Sequence, residues 1–155
     1  MTSTFKIVLI GDGGVGKTTY IRRLLGDDFK MPYTATFGAE VHPIVLSAPH
    51  NGVVFNVWDT SGQHKFSGMR DPHYEDADAA IVMFDVDSRI SYENVQWWCD
   101  EIRAVNPEIP IVIVGNKCDI VGRCKVNSGY YFEISAKLKT DLEKPLDYIA
   151  GILTA

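Results

Sequence analysis

Residues 11–19, GDGGVGKTT, consist of glycines, small polar groups and one lysine, and they follow the apolar run FKIVLI. Backbone bare of side chains can wrap its N–H groups around phosphate oxygens, and a helix starting behind it adds the positive end of its dipole. Two phosphate-binding spacings overlie the stretch. Gly11, Gly13 and Gly16 satisfy the dinucleotide pattern G-x-G-x-x-G, while Gly11, Gly16, Lys17 and Thr18 satisfy G-x-x-x-x-G-K-[ST]. The dinucleotide pattern also requires an acidic residue about 20 positions on, ending a second strand, to take the ribose hydroxyls. Glu40 is the nearest candidate, but it begins an apolar run instead of ending one. That pattern also leaves Lys17 and Thr18 idle. The second employs both, with Lys17 on the outer phosphates and the Thr18 hydroxyl on magnesium. Asp12, Gly13, Gly14, Val15, Gly16, Lys17, Thr18 and Thr19 are therefore the expected phosphate cradle. Lys17 is in addition expected to neutralise charge during phosphoryl transfer.

Two further stretches offer phosphate and metal contacts. In WDTSGQ, residues 58–63, Asp59 ends an apolar run, as the carboxylate that holds magnesium through water does in phosphate-loop proteins. Gly62 can bring its N–H against a terminal phosphate because no side chain blocks the approach. Gln63 beside it is placed to orient a water for in-line attack. Taken alone, DTSG is also ordinary turn composition. The stretch DDFKMPYTATFGAE, residues 27–40, has no clear helical or strand period, and loops of that length in small domains are usually functional or disordered. Within it Thr36 can give its hydroxyl to magnesium and its N–H to a terminal phosphate, so the loop closes only over that phosphate. Phe29 and Tyr33 have two readings, packing within the loop or stacking on a base and covering the phosphates.

The base is read by NKCD, residues 116–119, and SAK, residues 135–137. The Asp119 carboxylate can accept from the ring N–H and the 2-amino group of guanine, an edge on which adenine has neither donor. A hydrogen bond to a charged group is worth about 1.5–3 kcal/mol, which is roughly tenfold to a hundredfold in selectivity. Further discrimination is expected from the Ala136 N–H, suited to the guanine carbonyl. The methylene stems of Lys117 and Lys137 can lie along the base faces. Asn116 and Ser135 complete the two motifs. Either motif alone is common by chance; their order behind a Lys-Thr glycine loop makes the set specific.

Holding these groups together requires an α/β framework. Short apolar runs at FKIVLI, EVHPIVLS, VVFNVWD, AAIVMFDV, PIVIVGN and YYFEIS alternate with amphipathic stretches, the pattern of strands alternating with helices. AAIVMFDV and PIVIVGN are apolar on both faces, as central parallel strands must be. APHNG, with Pro49 and Asn51-Gly52, predicts a hairpin between the second and third runs, and so one antiparallel strand. Helices are expected after Gly16, between about Ser91 and Ala104, and from about Lys139 to Leu153. The expected fold is a six-stranded, mostly parallel sheet with helices on both faces, its motifs in loops at the carboxyl ends of the strands. In the helix over 91–104, one of Trp97 and Trp98 is expected to pack on the sheet.

The 155 residues, 46% hydrophobic, supply one domain with a substantial core. A net charge of -5 offers no general attraction to nucleic acid or anionic membrane. Cys99, Cys118 and Cys124 match neither a zinc site nor a disulfide framework, which points to a reduced, intracellular setting. The four histidines show no ligand spacing, so magnesium is the one metal expected. Position 2 is Thr2 and the final GILTA has no cysteine, so no lipid anchor is expected.

Together GDGGVGKT, the Thr36 loop, DTSGQ, NKCD and SAK resemble the small GTPases of the Ras superfamily. Within it, FKIVLIGDGGVGKTTY, TATFGAEVHPIV, FNVWDTSGQHKF and FDVDSRISYENV are most similar to the Ran family of nuclear-transport GTPases. The resemblance runs from Phe5 into the last helix. It implies the P-loop small G-protein fold, a GTP/GDP cycle with magnesium, and a monomer shared between nucleus and cytoplasm. It also implies transport receptors of the importin and exportin type, an exchange factor and a GTPase activator as partners. The sequence departs from that family at Ser61 and His64 beside Gln63. It is also short between Asp119 and Ser135, where a turn is expected in place of a helix, and it ends at Ala155 without the family's acidic tail.

Overall fold

A computed structural model describes residues 2–26, 33–34, 40–60, 72–117 and 130–155. In chain order the elements are β1 (Ser3–Ile10), α1 (Lys17–Leu25), β2 (Tyr33–Thr34), β3 (Glu40–Val45), β4 (Val53–Asp59), β5 (Ala79–Asp85), α2 (Arg89–Glu93), α3 (Val95–Val105), β6 (Ile111–Asn116), β7 (Tyr131–Glu133) and α4 (Lys144–Leu153). The strands form one sheet in the order β2-β3-β4-β1-β5-β6-β7. Only β3 is reversed, pairing antiparallel with β2 and β4, while the remaining pairs are parallel. All six expected strands are present. The addition is β2, two residues long, too short to leave a periodic signal in sequence.

Alternation along the strands sorts the core onto two faces. From β1, Ile7 and Leu9 join Tyr20 and Ile21 of α1 and Leu146, Ile149 and Ala150 of α4 on one face. Val8 and Ile10 point the other way and meet Val95, Cys99 and Ile102 of α3. Each fully buried Leu, Ile or Val contributes about 1.5–3 kcal/mol, and β1, buried on both faces at its carboxyl half, anchors the whole sheet. No helix among the described residues is long and apolar enough to cross a membrane.

Two helix boundaries differ from expectation. Over residues 89–105 there are two helices joined at Asn94, with Ser88 capping the first by accepting from the Ser91 N–H at 3.3 Å. The last helix begins at Lys144, not Lys139: Pro145, without an N–H, fits only the first turn. Before it, Ser135 and Thr140 form an antiparallel bridge, and Lys139 and Asp141 have φ of 57° and 56°.

Candidate functional site

The loop between β1 and α1 is shaped by glycine where no other residue fits. Gly11 leaves β1 with φ 144°, and a Cβ there would collide with the Met83 carbonyl on β5. Gly16, φ 102°, turns the chain into α1, and a Cβ there would strike the Asn116 amide. Gly13 and Gly14 face open space, with nothing within 4 Å of an added Cβ. The first helical hydrogen bond runs from the Tyr20 N–H to the Gly16 carbonyl at 2.9 Å, and no side chain caps this end. The first-turn N–H groups, unsatisfied within the helix, therefore point with the positive helix end toward the open cradle.

Lys17 and Thr18 open α1 and face inward. The Lys17 ammonium, buried, donates to the carbonyls of Gly11 and Asp12, both at 2.8 Å. Burial holds its pKa below the ordinary 10.5, against the opposing pull of the Asp59 and Asp12 charges. The Thr18 hydroxyl donates to Asp59 Oδ2 at 2.6 Å. This contact follows from strand register: parallel pairing sets Asp59 opposite Leu9, at the mouth of the loop. A hard cation prefers hydroxyl and carboxylate oxygens, and the buried Asp59 beside Thr18 supplies both. These residues therefore fit magnesium. Thr19 lies on the outer side, lining a cavity of about 410 Å³ with Arg22, Arg23, Gly26 and Lys139.

The carboxyl ends of β6 and β7 close the other side. Asn116 donates from Nδ2 to the Val15 carbonyl at 2.9 Å. Its Oδ1 accepts from the Lys117 N–H at 2.7 Å and the Ala136 N–H at 3.1 Å. One buried amide thus links the glycine loop to both the NKCD and the SAK segments. The Ala136 N–H, read from sequence as a partner for a base carbonyl, has Asn116 as its acceptor, since a buried N–H needs a partner. Ser135 is fully buried and its hydroxyl accepts from the Leu138 N–H at 3.1 Å. Lys137 is exposed. Lys117, at φ 67°, directs its ammonium to Asp85 Oδ2 at 2.7 Å.

Four residues here escaped the sequence reading in part or whole. Asp12 was expected to contribute as part of the cradle, yet its carboxylate turns outward to α3, accepting from Asn94 Nδ2 at 2.7 Å and Trp98 Nε1 at 2.8 Å. Trp98 also packs against the core while Trp97 stays 40% exposed, so the expectation that one tryptophan lies on the sheet holds. Asp85 pairs with Lys117 at the end of β5. For Asp12 the one available signal was an aspartate among glycines, which needs donors from elsewhere in the chain. A further grouping, Glu40, His42 and Asp59, has its ligand atoms within 4.8 Å of one another. The i, i+2 spacing puts Glu40 and His42 on one face of β3, and antiparallel pairing sets Glu40 opposite Asp59.

Phe29, Thr36, Gly62, Gln63 and Asp119 lie outside the described residues, as do Ser61, His64 and the connection over 118–129; of Tyr33 only the backbone, in β2, is described. The remaining expected residues converge from the ends of β1, β4, β6 and β7 onto one rim of the sheet. That rim presents backbone N–H groups, one buried ammonium and a hydroxyl-carboxylate pair, a set suited to polyphosphate with a divalent cation. A sequence model of the family described as the Ras family matches residues 6–154.

Proposed function

The chain belongs to the Ras family of small GTPases, and we propose that it is a Ran-type switch, cycling between GTP and GDP in nucleocytoplasmic transport. The observation that carries the GTPase reading is the junction of Lys17, Thr18, Asp59 and Asn116, which ties the glycine loop to the metal-binding and base-reading residues. The transport branch rests on the sequence likeness, strongest at GAEVHP. In this reading the protein is shared between nucleus and cytoplasm, with importin- and exportin-type receptors as partners.

In this reading Gly13 to Thr19 cradle the phosphates with their N–H groups and Lys17 neutralises the outer ones. Thr18, Thr36 and Asp59 hold magnesium, which when bound offsets charge on the phosphate oxygens. Asn116, Lys117, Asp119 and residues 135–137 hold the guanine; Phe29 and Tyr33 flank the nucleotide. Gln63 orients the attacking water and Gly62 meets the terminal phosphate. Arg22 and Arg23 lie in the last turn of α1, away from the open cradle, so neither serves as an arginine finger, and Arg70 lies outside the described residues. Unaided turnover is then expected near 10⁻⁴ to 10⁻³ per second, with about 10⁵-fold available from an activator, or about 7 kcal/mol in the barrier.

The deciding experiment loads the chain with GDP or a non-hydrolysable GTP analogue and measures binding to an importin-type receptor. Tight binding only in the GTP-like state is the expected result. Bound nucleotide without receptor binding in either state would replace the transport role with that of a divergent nucleotide-dependent binding module, or of a Rab-like traffic GTPase. Replacing Gln63 by Leu should slow hydrolysis and leave GTP affinity nearly intact; hydrolysis at the parental rate would remove Gln63 from the mechanism.

A further inference from the structure

Asp12 is the one residue among the first four of the phosphate loop with a side chain, and both its polar ends are committed. Its carbonyl accepts from Lys17 at 2.8 Å, while its carboxylate accepts from Asn94 at 2.7 Å and Trp98 at 2.8 Å. The two donors are four residues apart, one helical turn, and so stand on the same face at the start of α3. That helix is a firm support, seated on the sheet by Val95, Cys99 and Ile102, all buried. Hydrogen bonds to an ionised acceptor are about twice as strong as neutral ones. The neighbouring Gly13 and Gly14 have open space where side chains would be, and the Gly14 carbonyl accepts only a long hydrogen bond from Lys117 Nζ, at 3.5 Å.

We propose that Asn94 and Trp98 are positioning residues for nucleotide retention: acting through the Asp12 carboxylate, they hold the phosphate loop in its receiving conformation and slow release. The proposal rests on the reading that this loop holds nucleotide phosphates. A glycine-rich loop left without such a tether must be ordered at each binding event, and that entropy is drawn from affinity. With the tether, folding has already ordered it. Lys17 shares in the effect, because the Asp12 carbonyl that fixes its ammonium moves with the Asp12 side chain. Nothing in this role requires Asn94 or Trp98 to touch the ligand.

The test measures release of fluorescently labelled GDP into excess unlabelled GDP with magnesium, alongside the thermal midpoint. Trp98→Phe removes the N–H together with the pyrrole half of the indole while keeping an aromatic ring, so any packing loss is read from the thermal midpoint and the Asp12→Ala background; Asn94→Ala removes the other donor. Each should speed release by about fivefold or more, the lower end of typical coupling between linked sites. In an Asp12→Ala background the same substitutions should add nothing, because the acceptor through which they act is gone. Parental release rates in both single variants overturn the proposal. So does an acceleration that persists undiminished in the Asp12→Ala background, since the side chains would then act through packing. If Trp98→Phe does not fold, Asn94→Ala completes the cycle with Asp12→Ala. A parent chain that holds no guanine nucleotide overturns the functional reading and the proposal with it; a parent that binds, with variants unchanged, overturns the proposal alone.

Discussion

Lys17 is a cation at 4% exposure, and two backbone carbonyls with two nearby carboxylates only partly make up for its lost water. Its pKa is held below 10.5 chiefly by that burial. The unfolded chain, with an ordinary lysine, then binds more protons than the folded one as pH approaches 10.5. Stability attributable to Lys17 must rise with pH through its lowered folded pKa, levelling off above 10.5, and stay flat below that window. Comparing nucleotide-free parent with Lys17→Met by urea unfolding across this range isolates the effect: the difference should move in favour of the parent as pH rises. A pH-independent difference would mean the ammonium is not desolvated. Bound phosphates should flatten the trend by returning a counter-charge. At this scale the sequence was most legible, because Lys17, Thr18 and Asp59 stand at fixed offsets from glycines and strand ends. The Asp12 partners were not, since a hydrogen bond spanning 82 residues leaves no local trace.

At the scale of elements, α1 matters because it carries two site residues at its first turn and must be held in place by its body. Tyr20 does much of this: fully buried, it donates its hydroxyl to the Leu142 carbonyl, just before α4, at 2.6 Å. Burial, then the charges of Glu143 and Asp147, push its phenol pKa well up. Tyr20→Phe leaves that carbonyl without its donor and should cost about 1–3 kcal/mol, measured as a lower urea midpoint with an unchanged slope. Guanine preference should stay as it was, because Asn116 and the 135–137 loop keep their own contacts. An unchanged midpoint would show that the hydrogen bond adds nothing net. Six of the seven strands were legible because apolar runs bounded by turn residues carry their own signal; the two-residue β2 was not. Helix ends were less so: Asn94 continues with helical φ and ψ yet divides two helices, and Pro145 sets a start that the apolar period alone placed five residues early.

Across the whole molecule, one sheet with a core on each face gathers residues from positions 11 to 137 onto a single rim. The net charge of -5 opposes polyphosphate at long range, so binding must come from local N–H groups, Lys17 and magnesium. Anything bound only by the folded state raises stability by mass action, about 2.7 kcal/mol at a hundred times its dissociation constant. For a chain of this size that is roughly 5–10 °C in the thermal midpoint. Saturating GDP with magnesium should give such a shift, a chelator should take back part of it, and ATP at the same concentration should give little. Equal shifts with ATP and GDP would sink the guanine assignment.

From the amino-acid order alone came six of the seven strands, the reversed hairpin, the glycine loop and the NKCD and SAK motifs. Each of these is encoded locally, by glycines where backbone must bend or lie bare, by period-two apolar runs, and by short motifs with fixed spacing. The tertiary structure decided how they meet. Register between β1 and β4 put Asp59 against Thr18, the Asn116 amide joined three loops, and α3 took hold of Asp12. Those choices depend on packing between distant elements, and hydrogen-bond partners separated by 41 to 101 residues are selected only when the sheet closes over both cores.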